Sequence, residues 1–158
     1  MRAKKAKIRK INPDPRYQSV RIAKLINRST RDGKKNVAQQ QVYLALEKVA
    51  EQTKKKPVEV FDDVIKNLTP QMEVRSRRVG GAAYQIPLPV RGRRGFSLAV
   101  RWLVLEANKR ANSQYHTYSE KLAAEMLDIL ENQGGAINRK ETSHRMADSN
   151  KAFAHFRW

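Results

Sequence analysis

At 158 residues, with 33 lysines and arginines against 15 acids, the chain carries a formal charge of +18 at pH 7. That charge lies outside the range of an ordinary soluble enzyme and acts at long range, favouring nucleic acid or an anionic membrane as partner. A hydrophobic content of 40% excludes wholesale disorder, and the lack of cysteine excludes disulfides, thiolate zinc sites and cysteine nucleophiles.

Residues 1 to 10, MRAKKAKIRK, hold Arg2, Lys4, Lys5, Lys7, Arg9 and Lys10 and no acid. They are too repulsive to fold alone and read as an arm that orders on a phosphate backbone. Asn12-Pro13-Asp14-Pro15 blocks helix, so the arm ends in an extended segment by residue 15. Ile22, Leu25 and Ile26 mark a first short helix that stops near Asp32-Gly33. Asn36 with Gln39 resembles a capping arrangement for a second helix, with Ala38, Val42, Ala45, Leu46 and Val49 as its apolar face. Lys54-Lys55-Lys56 suits its C-terminus, and Pro57 suits the first position of a third helix carrying Phe61, Val64, Ile65 and Leu68. Pro70 ends that helix.

The stretch from Met72 to Arg94 contains six arginines and one acid. Glu73, Arg75 and Arg77 alternate with Met72, Val74 and Ser76, and beyond Gly80-Gly81 the residues Tyr84, Ile86, Leu88 and Val90 alternate again, the period of two strands. Pro87 and Pro89, two apart, share the side that faces away from a single partner strand. Strands of this length reach roughly 25 Å at ~3.3 Å per residue, so the hairpin is expected to project from a small body. Mutual repulsion among Arg75, Arg77, Arg78, Arg91, Arg93 and Arg94 is relieved most directly by a polyanion; the alternative is a solvated basic loop.

Gly95 and Ser97 lead into a fourth helix with Leu98, Arg101, Trp102 and Leu105 on one stripe, widened by Ala99, Leu103 and Ala107. Its place in an apolar face favours Trp102 as a core anchor over a base-stacking platform. Thr117 and Glu120 form a capping box for a fifth helix with the face Leu122, Ala123, Met126, Leu127 and Leu130, ended by Gly134-Gly135. A sixth helix, about Ile137 to Asp148, is polar on most sides, with Arg139, Lys140 and Arg145 spread round it, and needs a partner. In the tail, residues 149–158, Phe153, Phe156 and Trp158 interleave with Lys151, His155 and Arg157. Such a pattern suits single-stranded RNA and equally suits rings folded back on the body. The whole is one mainly α domain over 1–158: a bundle of about six helices, one protruding two-stranded β-hairpin arm at 72–94, and basic N- and C-terminal extensions.

Chemistry is thinly represented. His116, His144 and His155 lack metal-ligand spacing, and Gly92 to Gly95 lacks the spacing and lysine of nucleotide loops. Asp62 and Asp63, adjacent on a helix, point in different directions. Neither a catalytic site, a metal, a cofactor nor a small-molecule substrate is expected. No apolar run approaches the ~20 residues that span a bilayer, so no membrane partner is expected either. Two classes remain: a structural RNA-binding protein that clamps a folded RNA, and a DNA architectural protein that neutralises phosphates and inserts its hairpin in a groove.

Five stretches together resemble the small-subunit ribosomal protein seven family, of bacterial or organelle type. They are DGKK at Asp32 to Lys35, VRSRRVGGAAYQIPLPV at Val74 to Val90, AVRW at Ala99 to Trp102, NKR at Asn108 to Arg110, and HRMADSNKAFAHFRW from His144 onward. The resemblance implies a primary binder of the 3′ major domain of small-subunit ribosomal RNA. Such a protein nucleates head assembly and lies at the subunit interface near the exit-site tRNA and the mRNA path, beside small-subunit ribosomal proteins nine and eleven. It implies a ribosomal location in the cytoplasm of a bacterium or the stroma or matrix of an organelle. Carried over, the RNA-binding candidates are Arg2, Lys4, Lys5, Lys7, Arg9 and Lys10 in the arm and Lys34 and Lys35 after the first helix. Arg75, Arg77, Arg78, Arg91, Arg93 and Arg94 follow, then Arg101, Lys109 and Arg110. The exit-site candidates are Arg77, Arg78, Val79, Gly80, Gly81 and Tyr84, and the tail candidates are Arg145, Lys151, His155, Arg157 and Trp158. The chain departs from the family at Ser29 and Thr30, where apolar residues are usual, and in a longer segment after Arg110 that carries Tyr115, His116 and Tyr118.

Overall fold

Among residues 10–156, which the computed structural model describes, the apolar side chains at helical spacing converge on one core centred on Phe61, Leu46, Leu103 and Met126. The elements in chain order are α1 (Val20–Ser29), α2 (Lys35–Thr53), α3 (Pro57–Leu68), β1 (Met72–Val79), β2 (Ala82–Pro89), α4 (Gly92–Lys109), α5 (Tyr118–Leu130), α6 (Gly135–Ser149) and a 3₁₀ turn (Lys151–Phe156). The fold is therefore mainly helical with one two-stranded antiparallel hairpin, as the periodicity predicts.

Local chemistry explains most boundaries. Ser19 caps α1 by accepting the Ile22 N–H. Thr30 closes it by returning both its N–H and its hydroxyl to the Ile26 carbonyl, so the helix stops short of Asp32-Gly33, which turns the chain at positive φ. The expected Asn36–Gln39 cap is not formed. That turn delivers the chain into α2 at Lys35, Asn36 falls inside the first turn, and Gln39 donates instead to the Tyr43 hydroxyl at 2.6 Å. Pro57 opens α3, and the Thr117–Glu120 capping box opens α5. The two departures from the family pattern meet: the Ser29 and Tyr118 hydroxyls lie 2.8 Å apart in a hydrogen bond. Tyr118 is largely buried, which raises the pKa of its phenol, partly offset by the bond to Ser29.

Gly134-Gly135 opens α6 rather than ending α5. Helix α5 ends at Leu130, Asn132 makes the turn at φ 57°, and Gly134 occupies the N-cap of α6 at φ 91°. The carboxylate of Glu125, 2% exposed, accepts the Ala136 N–H at 2.9 Å and so caps α6 from α5. A Cβ on Gly135 would come within 2.9 Å of a Glu106 carboxylate oxygen and 3.3 Å of its Cβ, so glycine lets α6 start against α4 without displacing that side chain.

The helix α4 begins at Gly92, which places Arg93 and Arg94 on its first turn and not in the hairpin. Its buried face is Leu98, Ala99, Val100, Leu103, Val104 and Ala107, whereas Arg101 and Leu105, assigned to the same stripe, are exposed. In α5, Ile129 joins the core while Leu127 and Leu130 are only partly covered.

Val79 faces Ala82 across Gly80 (φ 57°) and Gly81 (φ 89°), two positive φ values in succession that a type I′ turn requires. Pro87 opposes Val74 and Pro89 opposes Met72, positions at which the alternating ladder directs an N–H away from β1. Only the distal half of the hairpin projects; Glu73 and Ile86 at its root are buried. The polar helix α6 supplies that cover and thereby finds its partner within the chain. Lys140 Nζ donates to the Asn67 carbonyl (2.6 Å), Ser143 to the Met72 carbonyl (3.3 Å), and His144 Nε2 accepts the Gln71 N–H (3.0 Å).

Candidate nucleic-acid interface

The hairpin's charges are braced before any partner arrives. Glu73, 7% exposed, is held by Arg75 Nη2 at 2.6 Å and by Arg94 Nε at 2.9 Å, so one carboxylate ties β1 to the first turn of α4. Arg75 and Arg94 are thus joined by their acid neighbour and do not simply repel. Beyond this brace, Arg77, Arg78 and the Gly80-Gly81 tip are exposed, with Val79 half-buried.

A second basic surface lies between α1 and α4. Lys24 and Arg28 on α1 face Arg93 and Arg101 on α4 across a groove of about 320 Å³ floored by Phe96 and Val100, and no acid lines it. The Lys24 ammonium stands 5.1 Å from the Phe96 ring centre, a cation–π contact that holds the floor while leaving the rim charged. Ile11 also lines this groove. Lys24 and Arg28 add to the residues that the resemblance points to; their spacing of four, opposite Ile22, Leu25 and Ile26, is the signal that marks them. Lys10, Lys34, Lys35 and Arg91 are exposed as well.

Other nominated residues have work inside the fold. Arg110 bonds Glu125 Oε2 (2.9 Å from Nε) and Asp128, and its guanidinium lies 5.4 Å from the Tyr115 ring, with 16% of its side chain exposed. Burial acts to lower its pKa, but the hydrogen bonds and charges of Asp128 and Glu125 outweigh that and raise it. Arg110 is therefore tied into the fold by two acids and keeps little exposed guanidinium for a phosphate. Lys109 and Arg139 converge on Glu106 at 3.0 and 2.7 Å. Burial pushes the Glu106 carboxyl up, and the hydrogen bonds from those two cations more than reverse it, leaving its pKa below the ordinary value.

The tail folds back on the hairpin. The rings of Phe153 and Phe156 lie 5.2 and 5.5 Å from that of Tyr84 on β2, and the His155 ring lies 3.9 Å from that of Phe156, tilted by 43°. Tyr84 is accordingly committed to the tail, while Arg145, Lys151 and His155 stay exposed. Arg2, Lys4, Lys5, Lys7, Arg9, Arg157 and Trp158 lie outside the described residues.

What this arrangement can do is bind phosphate. Arginine forks on a braced hairpin and an acid-free groove beside it present fixed, desolvation-tolerant donors to a polyanion. Among the described residues no cluster of histidine and acidic side chains could hold a metal ion, and no helix is long and apolar enough to cross a membrane.

The model of one family, ribosomal protein S7p/S5e, matches residues 1–151. The small ribosomal subunit protein uS7 of Dictyoglomus thermophilum is 51% identical over 150 residues, 95% of this chain and 94% of its own length. That of Thermosipho melanesiensis is 50% identical over 158 residues, the whole of both chains. That of Caldanaerobacter subterraneus is 49% identical over 150 residues, 95% of this chain and 94% of its own.

Proposed function

Because the chain belongs to the ribosomal protein S7p/S5e family, we propose that it is a primary binder of the 3′ major domain of small-subunit ribosomal RNA, where it nucleates assembly of the head. Membership makes it a non-enzymatic structural constituent of the small ribosomal subunit. The observation that supports RNA binding most directly is the acid-free groove of Lys24, Arg28, Arg93 and Arg101 adjoining the braced hairpin root, since Arg93 and Arg94 are neighbours on the same turn of α4. A folded RNA offers phosphates at both surfaces simultaneously; the groove, the arm and Lys34 and Lys35 contact the backbone and fix register.

The exposed tip, Arg77, Arg78, Val79, Gly80 and Gly81, is the part that reaches toward the exit-site tRNA and the mRNA path, and Arg145, Lys151 and His155 accompany it from the tail side. Small-subunit ribosomal proteins nine and eleven are the expected protein neighbours. Affinity for small-subunit RNA and for duplex DNA, each at two salt concentrations, tests the reading. Both weaken with salt, by a slope of about 0.7 to 0.9 per phosphate contact, and the RNA keeps a strong preference. Equal binding to both would instead favour a DNA architectural protein.

A further inference from the structure

Between the hairpin root, α4 and α6 lies an open groove of about 610 Å³, lined by other residues than the α1–α4 groove. On α4 its wall is the row Arg94, Leu98, Trp102 and Glu106, each four residues from the next, so one helical face presents a cation, two apolar groups and an acid-bound cluster in sequence. On α6 the opposing wall includes Thr142 and Met146, whose side chain is half exposed although it is apolar. The two ends of the groove are built alike. Glu73 gathers Arg94 and, from just outside the lining, Arg75 at one end, and Glu106 gathers Lys109 and Arg139 at the other, so each carboxylate is held by two cations and each ion cluster carries one positive charge in excess.

Trp102 sits in the middle. It packs against the core by one part of its ring system and remains partly exposed in the groove by the other. A slot with an aromatic floor and a cationic group at either end, about 18 Å apart at ~1.5 Å per residue along α4, matches a short extended polyanion with apolar faces. We infer that this groove takes a single-stranded segment of a few nucleotides, with one unpaired base against Trp102 and flanking phosphates at the Glu73 and Glu106 clusters. The excess positive charge of the two ion clusters selects this occupant over an apolar or basic peptide, and the ring and Met146 accept a base face irrespective of its identity. The inference rests on the chain being an RNA binder.

The test uses a transcript of the 3′ major domain and the full chain with Trp158→Phe, which leaves Trp102 as the sole tryptophan and whose affinity is first compared with the parent's because Trp158 is itself a tail candidate. Trp102 emission is expected to be quenched saturably, in step with binding measured separately by filter retention. Thr142→Phe fills the groove from an exposed position without changing charge; it is expected to abolish the quench and weaken binding by about 5- to 150-fold, the range for loss of one stacked base. A transcript that binds both variants equally, with Trp102 emission unchanged, overturns the inference and leaves the RNA reading intact. Quenching that appears only with a small-subunit protein, and not with RNA, assigns the groove to a protein partner and likewise overturns it. Failure of the transcript to bind at all brings down the RNA reading together with the inference.

Discussion

The ring of Phe153 lies 5.2 Å from that of Tyr84, tilted by 53°, so the 3₁₀ turn at the end of the described chain clasps β2. An isolated hairpin is marginally stable in water, and this contact stabilises it at a point beyond the cover given by α6. Phe153→Ala is expected to raise amide exchange rates in β2 by about 2- to 10-fold, in line with ~0.5–1.5 kcal/mol for an aromatic pair, while amides of α2 and α5 are unaffected. Hydrogen exchange followed by mass spectrometry or NMR reads this directly. Uniform acceleration across the bundle would mean that the clasp supports the whole fold and not the hairpin.

Arg110 and Glu125 form a pair of a different kind, with little solvent to replace a lost partner. Arg110→Ala leaves the buried Glu125 carboxylate without its guanidinium and is expected to cost about 3–5 kcal/mol in urea unfolding. At a temperature where the variant remains folded, its RNA affinity and salt slope are expected to match those of the parent. A reduced slope would return Arg110 to the RNA interface.

The Glu106 carboxyl, drawn below its ordinary pKa of 4.5 by Lys109 and Arg139 despite its burial, has a definite pH signature. A carboxyl depressed in the folded state adds stability that is present above the unfolded value and lost as pH falls through the folded one. Stability should therefore decline below about pH 4.5, and Glu106→Gln should be less stable than the parent at neutral pH but decline less steeply on acidification. Glu120, lowered by its bonds to the Thr117 N–H and to Lys48, has the same sign, so the variant's profile is flattened and not level. Parallel profiles for parent and variant would contradict the assignment.

The hairpin tip separates binding from folding. Arg77→Ala combined with Arg78→Ala is expected to leave the melting temperature within about 2 °C, since exposed surface changes are generally within about 0.5 kcal/mol. The same pair should reduce the salt slope of RNA binding by up to about 0.7–0.9 for each phosphate contact removed. Filter binding at several salt concentrations measures it; an unchanged slope together with unchanged incorporation into small subunits would count against contact at the tip.

Much of the scaffold is written locally. Pro57, the Thr117–Glu120 box, the Gly80-Gly81 turn and the spacing of Phe61, Val64, Ile65 and Leu68 each act within a few residues, and each forms as its local chemistry dictates. Gly134-Gly135 serves the start of α6 and not the end of α5, and the steric demand on Gly135 comes from Glu106, far away in sequence. The basic residues follow the same division. Nothing near Arg110 reveals that Glu125 and Asp128 await it, nor does anything near Arg94 point to Glu73, since pairing across the fold depends on how helices pack. The spacing of Lys24 and Arg28 puts them on one exposed face of α1, but that they rim a groove depends on α4 bringing Arg93 and Arg101 opposite them. Tyr84, counted with the exposed tip, is claimed by the tail for the same reason.

Hydroxyl-radical footprinting of intact small-subunit ribosomal RNA, with the parent chain and with Arg93→Ala, Arg101→Ala, tests the central claim most directly. The parent is expected to protect nucleotides confined to the 3′ major domain, and the variant to lose a contiguous part of that footprint. Protection scattered evenly over the RNA, or a footprint identical in the two proteins, would contradict recognition through the α1–α4 groove.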